Sequence, residues 1–84
     1  MRFHATGTIT SPRQLAEHAE DETKVLEQLL DEGVVEHFYL RTDRSGAYFI
    51  LEADDLATAQ RHMYRLPFVA HDLMHLDYTE ISPT

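Results

Sequence analysis

Apolar and polar positions alternate from Met1 to Ile9, with Phe3, Ala5, Gly7 and Ile9 on one side and Arg2, His4, Thr6 and Thr8 on the other. A period of two predicts a half-buried strand. The spacing then becomes helical: Leu15, Ala19, Leu26, Leu29 and Leu30 share one stripe. Ser11, Pro12 and Gln14 supply an N-cap, a first-position proline and a capping-box partner, and Gly33 follows the last periodic residue. The first helix is expected from about Pro12 to Glu32. Val34 to Arg41 and Ala47 to Glu52 are strand-like and flank the polar turn 42–46, which predicts a hairpin. Asp54 or Asp55 caps a second helix with the stripe Leu56, Ala59, Met63 and Leu66, and Pro67 is expected to end it. A last strand covers about Met74 to Ile81.

The resulting order is β-α-β-β-α-β. Two long crossovers around a hairpin predict an α+β, ferredoxin-like fold, a four-stranded antiparallel sheet with both helices on one face. The opposite sheet face then needs a cover, and a second copy of the chain is the expected one, giving a homodimer or larger homo-oligomer. A one-residue slip exchanges the faces of a strand, so spacing leaves open which set of β1 side chains meets the helices.

One position breaks the first helix's apolar stripe. At about 100° per residue, Glu22 falls between Ala19 and Leu26 and points toward a core or cavity. Desolvation there raises a carboxyl pKa toward the range of a general base at neutral pH, whereas an Arg or His partner would hold it ionised in a structural role.

Composition narrows the function classes. Eighty-four residues without an internal repeat or linker read as one domain, 1–84. Fifteen acidic against seven basic residues give a net charge of −8, which disfavours nucleic acid and anionic membranes as partners. There is no cysteine, so thiolate chemistry and disulfides are excluded. No apolar run reaches the roughly 20 residues of a membrane span, and a soluble, cytoplasmic protein is expected.

Phe3-His4, Asp21-Glu22, Leu29, Glu32-Gly33, His37, Tyr48 and Leu66-Pro67 occur in an order and spacing that resembles the muconolactone isomerase family of dimeric α+β barrel proteins. The connection into the first helix is shorter here and less basic, which leaves the substrate open. The resemblance implies a cofactor-independent proton shift on a small unsaturated lactone. The wider superfamily also includes small decarboxylating or dehydratase-like enzymes, and its polyketide-tailoring cyclases and cofactor-free monooxygenases supply the second enzyme reading, which favours a larger aromatic substrate. A non-catalytic ligand-binding or assembly module is the reading outside enzymes.

Shifting a double bond in a lactone requires a base, a donor to the enolate oxygen and an acid. Glu22 is the candidate base, with His4 and His37 as acid or oxyanion donor. Tyr39, Arg41 and Tyr48 are candidates to orient a carbonyl or carboxylate. Strand four neighbours strand one in this fold, so His75 and Asp77 are further candidates, with His4 and Asp77 as a possible dyad. His71 and His75 have helical metal-ligand spacing but enter a strand, and no HExxH motif occurs, so no metal is expected. The three scattered glycines exclude a phosphate loop. Should a cavity exist, Phe38, Phe49, Met63, Phe68 and Met74 are its candidate walls, with Ala5, Gly7 and Ala19 leaving volume beneath the helix.

Overall fold

The computed structural model describes residues 1–83. Its elements are β1 (Arg2–Ile9), a 3-10 turn (Pro12–Gln14), α1 (Leu15–Asp31), β2 (Val35–Leu40), β3 (Gly46–Glu52), α2 (Leu56–Met63), α3 (Pro67–Ala70) and β4 (Met74–Ile81). The four strands form one antiparallel sheet in the order β2-β3-β1-β4. This is the ferredoxin-like arrangement read from the sequence.

The strand face left open by spacing is settled by burial. Phe3, Ala5 and Gly7 of β1 are buried with Ala47, Phe49 and Leu51 of β3, facing Leu29 of α1 and Ala59 and Met63 of α2. The alternate set of β1, which carries His4, therefore lies on the far side of the sheet. β2 holds the same parity only after a bulge between Val35 and His37, since Val35 pairs with Leu51 and His37 with Ile50.

Two helix ends differ from expectation. Ser11 makes no side-chain cap, and the chain enters α1 through the 3-10 turn, so the anticipated capping box is not formed. Pro67 does not terminate α2. That helix stops at Met63, Leu66 turns extended, and Pro67 opens α3, where its locked φ suits the first helical position. The other ends follow the sequence signals. Asp55 caps α2 by accepting the Thr58 N–H at 2.7 Å. Gly33, at φ 78°, lets its own N–H reach the Leu30 carbonyl while the Val34 N–H reaches that of Leu29. This paired closure brings buried Val34 against buried Leu29 and redirects the chain into β2.

Candidate functional site

Helix α1 does not close on the sheet between Leu15 and Leu26. A cavity of about 970 Å³ remains between the helix, the inner sheet face, α3 and the β2–β3 turn. Leu15, Ala19, Glu22, Thr23 and Leu26 of α1 form one wall. Phe38, Ala47, Phe49 and Met74 form the sheet side, and Phe68 of α3 the end. Exposed Leu40, Thr42 and Arg44 stand at its rim, so the cavity opens to solvent beside the turn. Of the walls anticipated from sequence, Met63 alone lies elsewhere, in the core. Ala5 and Gly7 are buried beneath the helices but do not line the cavity, which owes its room to Ala19, Gly46 and Ala47 instead.

Glu22 is the single acidic residue of the lining. Its Oε1 accepts the Phe68 N–H at 2.8 Å. The reason lies in α3: its N-cap residue, Leu66, has no side chain able to accept, so the first-turn N–H groups need an acceptor from elsewhere. Glu22 supplies it across 46 residues of sequence. Oε2 has no protein partner among the described residues. No Arg or His pairs with Glu22, so burial governs its titration and pushes the carboxyl up to about 7, against the opposing pull of the Phe68 N–H. A half-buried carboxyl poised at neutral pH, with one oxygen anchored and the other unpartnered, can take a proton from a bound carbon acid and hold it.

Of the other candidates only Arg41 shares the cavity lining with Glu22; the rest are outside it. His4 and His37 flank Ile50 on the outer sheet face, from β1 and β2. His4 stacks on Tyr48 with centroids 5.6 Å apart, and His37 on Tyr39 at 6.4 Å. Arg41 contributes to the cavity lining, but its guanidinium lies 5.7 Å from the Tyr48 ring centre and 3.8 Å from Asp43. The strand register puts His4 opposite Thr79 and Asp77 opposite Thr6, and the Asp77 carboxylate meets His75 at 3.1 Å rather than His4. His71 stacks on His18 at 4.2 Å, whereas His75 meets Asp77. Two contributors escaped the sequence reading. The Phe68 N–H carries no residue-type signal, and Arg44 looked like ordinary turn chemistry.

No family model and no curated protein matches the chain. Solved structures do match in fold. Muconolactone isomerase, solved at 3.3 Å, superposes with a TM-score of 0.81 at 17% identity, over 100% of this chain and 91% of the other. The 5-chloro-2-hydroxyhydroquinone dehydrochlorinase of Burkholderia phenoliruptrix AC1100, in complex with 2,5-dihydroxybenzoquinone, gives 0.74 at 16% identity, over 98% and 94%. An antibiotic biosynthesis monooxygenase gives 0.61 at 12% identity, over 99% and 100%. The fold is thus the one these proteins share, and it is the fold implied by the resemblance read in the residues.

Proposed function

We propose that residues 1–84 act as one domain that moves a proton, and with it a double bond, in a small enolisable lactone or ketone, with Glu22 as the base and no cofactor. The observation that carries this reading is the placement of an unpaired, half-buried carboxyl in the wall of an apolar cavity. Isomerisation of this kind removes a proton at one carbon and returns it at another, and Glu22 can fill both the base and the acid roles if its conjugate acid survives the intermediate. A pKa near neutrality suits that double duty. The names of the matched structures, an isomerase and a dehydrochlorinase, support small-molecule chemistry on this fold. The size of the cavity and its phenylalanine walls also favour a larger aromatic substrate, as in a cyclase or cofactor-free monooxygenase. The outer sheet face, with Tyr39 and Tyr48 exposed, is assigned to self-association in a homodimer. His4, His37, His75 and Asp77 then belong to that interface rather than to the proton transfer.

The test is solvent-deuterium incorporation into muconolactone and a panel of enolisable lactones and aromatic ketones, for wild type and Glu22→Gln. Exchange that falls at least about a hundredfold in the variant, within the usual range for loss of a general base, supports the reading. Equal exchange by both proteins sinks Glu22 as base, and an aromatic ketone exchanging where muconolactone does not favours the larger-substrate reading.

A further inference from the structure

The chain carries seven Lys and Arg residues against fifteen acids, and most of the seven are already engaged. Arg2 chelates Glu36, Arg65 chelates Glu32, Lys24 faces Glu20, Arg41 faces Asp43, and Arg61 bonds the Thr58 hydroxyl. Arg13 and Arg44 have no side-chain partner among the described residues, and of these two only Arg44 lines the cavity. In so acidic a chain a surface guanidinium ordinarily finds a carboxylate.

Arg44 does not. Asp43, its neighbour in the turn, is engaged within the loop instead, its Oδ1 accepting both the Ser45 N–H at 2.9 Å and the Ser45 hydroxyl at 2.6 Å. Arg44 itself sits at φ 64°, in the left-handed region that non-glycine residues seldom occupy. The tight return to β3 is enforced from below. Gly46 lies so close to the Gly7 carbonyl that a Cβ there would collide with backbone. The turn therefore places Arg44 at the cavity rim and engages the neighbouring Asp43 with Ser45.

We infer that Arg44 recognises a carboxylate on the ligand, so that this site selects apolar acids, with the anionic group at the rim and the hydrocarbon body against Phe38, Phe49 and Phe68. A guanidinium presents paired donors that fit a carboxylate, and an apolar interior accepts one such charge only if it stays at the mouth. This rests on the reading of the cavity as the substrate site.

Binding of a non-enolisable pair separates the two claims. 2-Naphthoate and its neutral isostere 2-naphthamide are titrated at pH 7.5 against wild type, Arg44→Asn and Arg44→Lys. Asparagine tolerates the left-handed backbone and keeps the turn, which circular dichroism verifies. Wild type is expected to prefer the acid by about tenfold, in line with a charge-assisted hydrogen bond. Arg44→Asn should erase the preference while leaving amide affinity unchanged, and Arg44→Lys should restore part of it. Equal affinity of wild type for acid and amide, no binding of either, or an acid preference that survives Arg44→Asn overturns the inference. Deuterium exchange dependent on Glu22 is untouched by those results, so failure here and failure of the base assignment are told apart.

Discussion

At the scale of the residue, Glu22 dominates because folding acts on its titration. Its ordinary value is 4.5, and burial raises it to about 7. The folded state therefore prefers the protonated carboxyl, and the associated stability is fully present below about pH 4.5 and declines as pH rises through 7. A shift of this size corresponds to about 3 kcal/mol, which solvent screening at a half-exposed group reduces to about 1–2 kcal/mol. Glu22→Gln keeps an acceptor for the Phe68 N–H and cannot ionise. Urea unfolding at pH 5 and pH 8 should find the variant and wild type matched at the lower pH and the variant ahead by about 1 kcal/mol at the higher. Catalysis runs the opposite way, since a base must be ionised: kcat/KM should climb with pH through a midpoint near 7. A stability gap that does not change with pH sinks the account of Glu22. This residue was legible in the sequence because a carboxylate interrupted a stripe of leucines. Arg44 was not, since a turn arginine announces nothing until the cavity beside it exists.

At the scale of the element, most of the fold was legible where a local rule acts alone. Gly33 and Asp55 sit at the helix ends their types favour, and β1 alternates as a half-buried strand should. Misreadings arose where two rules compete. Pro67 both disfavours the interior of a helix and favours the start of one, and the buried Leu66 between α2 and α3 decides for the second. The face of β1 was likewise hidden, because Phe3, Ala5 and Gly7 become the inner set only through pairing with β3 and β4. The β2–β3 turn depends on a further non-local fact, the close backbone approach of Gly46 to Gly7. Gly46→Ala should lower stability by about 2 kcal/mol, as expected for forcing atoms into a packed site. Thermal unfolding followed by circular dichroism would measure it. A loss near the few tenths typical of a surface change would show that β1 and β3 separate easily, and would undercut the rigid rim invoked for Arg44.

At the scale of the whole molecule, one layer of helices covers one face of the sheet and leaves the other in solvent. Tyr39 is 60% exposed and Tyr48 37% exposed on that face, beside His4, His37 and Ile50. Among the described residues no helix is long and apolar enough to cross a membrane. A homodimer joined through this face is expected to sediment at twice the chain mass at micromolar concentration, and Tyr48→Glu should halve it by placing like charges at the symmetric contact. A wild-type monomer would refute the assembly while leaving the cavity reading in place. The cavity itself is a property of the assembled chain, because Glu22 on α1 is anchored by α3. That anchor has an implication for descent. A main-chain N–H survives every substitution except proline, so position 68 can drift through all the other side chains without releasing the carboxylate. Relatives can thus inherit the arrangement while sharing no recognisable residue there, and an aligned set of sequences would record only the glutamate of a two-part device.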